Sequence, residues 1–116
     1  MDKLLVILRK PPYGVVNAAE AVRHAGAAAG FDYKATLYLI GSGVFSAKKD
    51  QDAGTSGYTG IGESLELLSD EMEIYACQNS LRESGLEEDD LIEGVKIDDG
   101  NVLKDALKNA QSVMIY

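Results

Sequence analysis

The chain has 116 residues and a mass of 12.4 kDa, the size of one domain, so a second domain and an interdomain linker are excluded. Hydrophobic residues at 46% and charged residues at 26% are ordinary globular proportions and argue against disorder. Eleven basic against 19 acidic side chains leave a net charge of −8, which repels phosphate backbones and anionic lipid, so neither nucleic acid nor a membrane is an expected partner.

The first predicted element is the apolar run Leu4-Leu5-Val6-Ile7-Leu8, which reads as a strand buried on both faces and is ended by Pro11 and Pro12. Apolar and small residues at helical spacing from Val15 to Ala29 predict a helix stopped by Gly30, with Glu20, Arg23 and His24 mostly on its polar side. Ala35 to Ile40 reads as a second buried strand, stopped by Gly41-Ser42-Gly43. The stretch from Ser46 to Gly62 is rich in glycine and polar residues and is long for a plain connection, which marks it as a functional or mobile loop.

Glu63 to Ser69 reads as a helix with Leu65 and Leu68 inward, Met72 to Ala76 as a third strand, and Gln78 to Ser84 as a short helix closed by Gly85. The acidic run Glu87-Glu88-Asp89-Asp90 suits a helical start. Val95-Lys96-Ile97 is a short strand, Asp98-Asp99-Gly100 a turn, Asn101 the N-cap of a helix over Val102 to Ala110, and Ser112 to Tyr116 a last strand. Strands alternating with helices predict one flavodoxin-like α/β domain over residues 1–116, with a mainly parallel sheet of about five strands and helices on both faces.

The compartment and the chemistry are bounded by two single residues. One cysteine, Cys77, cannot form an internal disulfide, and with His24 as the one histidine there is no structural zinc set. No apolar run is long enough to span a bilayer or to form a signal-peptide core, so a soluble cytoplasmic protein with a reduced thiol is expected. Charge is uneven: residues 1–62 hold seven basic and five acidic side chains, residues 63–116 four basic and fourteen acidic.

Ligands of an open parallel sheet collect at the carboxyl ends of its strands. Those ends are Arg9-Lys10-Pro11-Pro12-Tyr13-Gly14, Gly41-Ser42-Gly43 and Cys77-Gln78-Asn79-Ser80. At a strand-to-helix junction the free backbone N–H groups favour a thiolate, and Arg82, Arg9 and Lys10 are candidates to add positive charge around Cys77. The bland reading of Cys77 is a small buried hydrophobe. His24 falls about 15 Å from this rim by helix rise, which makes it a solvated helix residue and speaks against a Cys-His pair. Gly41 to Ser46 lacks the third glycine or alanine of a dinucleotide fingerprint, and no Gly-Lys-Ser/Thr closes Gly54 to Gly62 as a phosphate loop requires.

Three stretches together resemble the DsrE/DsrF-like family, closer to its DsrF/TusC branch. They are Leu5-Val6-Ile7 with Arg9-Lys10-Pro11-Pro12-Tyr13-Gly14, the Gly43-Val44-Phe45 step, and Tyr75-Ala76-Cys77-Gln78-Asn79-Ser80-Leu81-Arg82-Glu83-Ser84-Gly85-Leu86. The resemblance implies a flavodoxin-like fold in trimers or hexamers of identical or different chains, without cofactor or metal. It also implies a persulfide carried on the cysteine matched by Cys77, received from a donor protein and passed to an acceptor in tRNA thiolation or sulfur oxidation. The family often has an aspartate where this chain has Ser42, which leaves any role of that acid without a residue here.

Two other readings stand beside the sulfur carrier. One is a structural subunit completing an assembly around an active paralogue, to which the small-residue run from Ala25 to Gly30 would lend close packing. The other is a small-ligand or nucleotide-binding domain on the same rim. The loop from Ser46 to Gly62 is a candidate gate over Cys77.

Overall fold

The computed structural model describes residues 3–50 and 61–116. In chain order the elements are β1 (Lys3–Leu8), α1 (Asn17–Gly30), β2 (Lys34–Leu39), a 3-10 segment (Gly41–Ala47), α2 (Ile61–Leu68), β3 (Glu73–Cys77), α3 (Gln78–Glu83), a 3-10 turn (Glu88–Asp90), β4 (Val95–Asp98), α4 (Asn101–Asn109) and β5 (Ser112–Ile115). The strands form one sheet in the order β4-β3-β2-β1-β5, every neighbour parallel. The expected α/β architecture, with helices on both faces, is therefore the one observed.

The strand order dictates which helix covers which face. From β1 to β4 each step moves one strand in the same direction, so right-handed crossovers lay α1, α2 and α3 on one face. The step from β4 returns across the whole sheet to the far side of β1, and the same handedness puts α4 on the opposite face. The main core lies on the first face, where Val6, Leu8, Leu37, Leu39, Ile74 and Ala76 meet Ala18, Ala21 and Ala25 of α1, Ile61 and Leu65 of α2, and Leu81 of α3. The second face holds a smaller cluster of Leu5, Ile7 and Tyr38 against Leu103, Ala106 and Ala110. Alternate residues of β1 and β2 thus serve different cores, which is why both strands read as unbroken apolar runs.

Three local readings are corrected. Gly41 to Ala47 does not simply stop β2 but forms a 3-10 segment, burying Val44 and Ala47 under the main core. Asn101 is not the N-cap of α4: Gly100 holds that position at φ +115°, and the cap is the Asp98 side chain, which accepts hydrogen bonds from Val102 N at 3.0 Å and Leu103 N at 3.2 Å. His24 is not a solvated helix residue, since its ring is only 34% exposed and its Nδ1 is hydrogen-bonded to the Tyr116 hydroxyl, with the rings tilted and 5.6 Å apart.

Part of the expected long loop is also element: Ser46 and Ala47 end the 3-10 segment, and Ile61 and Gly62 begin α2. Its edge is tied down where Lys49 N donates to Asp90 O at 2.9 Å and Ile92 N to Ala47 O at 2.8 Å. Residues 51–60, on which the gate reading depends, lie outside the described residues. The small-residue run of α1 packs at least partly within the chain, because Gly26 lies against Leu68 of α2.

Gly43 is the tightest point of the main core. A Cβ there would fall inside the Leu8 carbonyl, a backbone group that cannot swing aside. Gly43→Ala is expected to destabilise the fold by about 3 kcal/mol, as forced overpacking does, whereas Gly30→Ala, which meets nothing within 4 Å, should leave stability nearly unchanged. Urea unfolding midpoints of the two variants check this.

Candidate functional site

The loops leaving two adjacent strands part to opposite faces at only one place in this sheet. The chain leaves β3 toward α3 on the main face and leaves β4 toward α4 on the second face, so the switch point lies between β3 and β4. Ligand crevices of open α/β sheets form at such points. Cys77 and Asp98 are the last residues of these two strands and stand directly opposite each other in the register. Neighbouring strands run about 4.8 Å apart, so the thiol and the carboxylate share one rim.

Cys77 occupies the residue before α3 with extended backbone at φ −69° and ψ 123°. Its side chain is half-buried and packs on the second face with the Tyr38 cluster. Tyr38 is fully buried, and its hydroxyl donates to Asp98 Oδ2 at 2.7 Å. Burial pushes the Tyr38 hydroxyl well above the usual phenol range, and its hydrogen bond to the negatively charged Asp98 adds to it, with a smaller contribution from Asp99. Burial alone would also raise Asp98, which is only 4% exposed. Hydrogen bonds from the Tyr38 hydroxyl and from the backbone N–H groups of Val102, Leu103 and Gly100 outweigh it and hold the carboxyl below the usual range.

The other residues expected at the rim are spread around this pair. Gln78 and Asn79 open α3, the first half-buried and the second exposed. Ser80 is buried, and its hydroxyl accepts a hydrogen bond from Gly41 N at 2.8 Å, tying α3 to the segment after β2. Arg82 is exposed in the last turn of α3, at the far end of that helix from Cys77. Arg9 and Lys10 are exposed beyond β1, two strands away from β3, and Tyr13 packs against the main core. Sequence reasoning missed Tyr38 and Asp98: a tyrosine inside an apolar strand reads as core, and an aspartate before Asp99-Gly100 reads as turn. The signal was an acid at the end of a strand immediately before a helix, the place of a cap.

Among the described residues no group of histidine, cysteine and acidic side chains is arranged to hold a metal ion, and no helix is long and apolar enough to cross a membrane. A groove of about 200 Å³ runs along α4 on the second face, lined by Lys3, Lys34, Thr36, Val102, Asp105 and Ala106 among others, away from Cys77.

A parallel α/β domain with a single thiol at its switch point is the class that fold and site define. The chain belongs to the DsrE/DsrF-like family, whose sequence model matches residues 2–116. It is 31% identical to an uncharacterised protein of Methanocaldococcus jannaschii over 98% of this chain and 99% of that one. It is also 31% identical to the intracellular sulfur oxidation protein DsrF of Allochromatium vinosum, covering 80% of this chain and 70% of that one. A TusC homolog of Pseudomonas aeruginosa is 28% identical over 97% of both chains. Among solved structures, the ychN protein of E. coli superposes with a TM-score of 0.91 over 100% of both chains at 23% identity, a likeness of fold.

Because the folded state holds Asp98 below the ordinary carboxyl range, its contribution is complete above the unfolded pKa near 4 and is lost as pH falls through the lower folded value. Asp98→Asn is expected to lower stability by about 1–2 kcal/mol at neutral pH. The gap to the parent protein should narrow steadily below about pH 4. Chemical denaturation across a pH series measures both.

Proposed function

We propose that this chain is a sulfur carrier of a protein sulfur relay, with Cys77 as the atom that is loaded and unloaded. The observation that carries the reading is Cys77 itself, a half-buried thiol on the last residue of β3 at the switch point of a DsrE/DsrF-like domain. Support comes from relatives named for intracellular sulfur oxidation and as TusC homologs.

In the loading step the Cys77 thiolate attacks the outer sulfur of a donor persulfide. A new S–S bond forms to Cys77, the donor's S–S bond breaks, and the donor leaves as its thiolate. In the unloading step an acceptor thiolate attacks the outer sulfur and Cys77 leaves as a thiolate, so no external oxidant or reductant is consumed. The lack of a second cysteine protects the carrier, because no thiol of the same chain can discharge the persulfide as a disulfide. Arg82, Arg9 and Lys10, with Gln78 and Asn79, would form the rim that a donor or acceptor protein meets, with the buried Ser80 and the core-packed Tyr13 behind it. A reducing compartment such as the cytoplasm keeps the thiol free for this use.

A second reading is a structural subunit of a trimer or hexamer. It is favoured by the second face, where α4 leaves Leu107, Val113 and Ile115 at 50%, 41% and 59% exposure. Offering purified protein a small persulfide donor and recording the intact mass separates the two. The carrier gains one sulfur atom, removable by a thiol, and Cys77→Ser gains none. An unmodified wild-type mass, from protein that is folded and oligomeric by light scattering, moves the assignment to the structural subunit.

A further inference from the structure

The second face is covered by α4, a helix of nine residues, and beside that helix runs the groove of about 200 Å³. Its lining is sorted by chemistry along its length. A helix that joins two parallel strands runs against them, so Asn109 and Ala110 stand over the starts of β1 and β2 while Val102 lies toward their ends. Hydrogen bonds between Gln111 and the Lys3 backbone hold that arrangement. The strand-start end of the groove therefore carries Lys3 and Lys34, and the rest offers Leu5, Ala106 and Val102. From Val102 to Asn109 the helix rises about 10 Å.

Lys3 and Lys34 are register partners on adjacent parallel strands, and both fall on the face of Leu5 and Tyr38, because side chains alternate along a strand. Two like charges side by side at strand spacing repel each other, and an anion between them relieves it. The fold supplies none. Among the described residues the ion pairs are Glu20 with Arg23 and His24, and Glu73 with Lys96. Glu73, opposite Thr36 in the register, is already held by Lys96 at 2.8 Å and by the Tyr75 hydroxyl at 3.0 Å. Asp105 borders the groove from α4 and pairs with neither lysine, so the lining keeps one net positive charge in a chain whose net charge is −8.

We infer that this groove binds a small organic acid, with one carboxylate between Lys3 and Lys34 and an unbranched apolar body of about 10 Å along Leu5 and Ala106. Thr36, the next residue on the same strand face after Lys34, offers its hydroxyl beside the carboxylate. A single net positive charge suits a singly charged head better than a doubly charged phosphate, and the lining has no arginine to grip one in a fork. The volume is below the roughly 300 Å³ at which pockets for drug-sized ligands begin, which keeps the body short. This site lies at the amino ends of the strands, away from Cys77, and goes beyond the sulfur-carrier reading without depending on it.

The test is titration of the full chain with octanoate, which has the charge and the length of the groove, followed by amide proton–nitrogen correlation NMR spectra. Saturating shifts are expected at Thr36, Ala106 and Ala110, with half-saturation near 1 mM, about what so small a ligand reaches. Octanol has the body without the charge and inorganic phosphate the charge without the body; each should bind at least about fivefold more weakly. Lys34→Gln, at an exposed position, should weaken octanoate about threefold, and adding Lys3→Gln should take the loss to about tenfold, with octanol unaffected by either change. The inference is overturned by absence of saturation at about 10 mM, by shifts centred on Leu107, Val113 and Ile115 instead, or by phosphate binding as well as octanoate. Octanoate affinity that ignores both lysine changes overturns it too. Groove shifts that follow protein concentration alone, with no octanoate present, assign the groove to a second copy of the chain and equally overturn it.

Discussion

A carboxylate buried at the end of β4 is the constraint on which the second half of the molecule rests. Such a group is tolerated inside a protein only when its oxygens are satisfied, and Asp98 meets that condition by drawing on two places at once: the free N–H groups that start α4 and the hydroxyl of Tyr38 two strands away. The first fixes where α4 begins. The second anchors that start above the centre of the sheet. Since α4 is the helix over Leu5, Ile7 and Tyr38, the smaller core is assembled around a polar contact rather than the reverse.

That arrangement also gives the site its electrostatic character. The excess acid of the later half of the chain is mostly exposed and screened, as in the Glu87 to Asp90 stretch, whereas Asp98 is one acid placed where screening is weak. Positive charge stands further off, on Arg9, Lys10 and Arg82 at the exposed rim.

The presence of the strands and their parallel type were legible because β1, β2 and β3 are short apolar runs between breakers, and a parallel sheet buried on both faces needs such runs. The position of Cys77 was legible for the same reason: it ends a strand that a helix follows. Asp98 and Tyr38 were not, since their partnership joins residues sixty positions apart and depends on β4 lying at the sheet edge next to β3. His24 was misplaced because periodicity shows the polar side of a helix but not that Tyr116 folds back onto it. The 3-10 segment after β2 was hidden by its glycines, which read as a stop although Gly43 is small because the Leu8 carbonyl passes through the space a side chain would need.

The strand order has a consequence for how the chain assembles. β2, β3 and β4 each add beside the strand just made, so most of the sheet grows from contacts between near neighbours in sequence. The far edge of β1 has no such partner: it waits for Ser112–Ile115, and the closing contacts Gln111 N to Lys3 O at 2.9 Å and Lys3 N to Gln111 Oε1 at 2.5 Å span 108 residues. Until then Leu5 and Ile7 lie beside an unpaired backbone, the template on which a second nascent chain could add its own strand. The four residues of β5 therefore act as a late seal, and the window between translating β1 and placing β5 is when this small acidic protein is most exposed to joining the wrong partner.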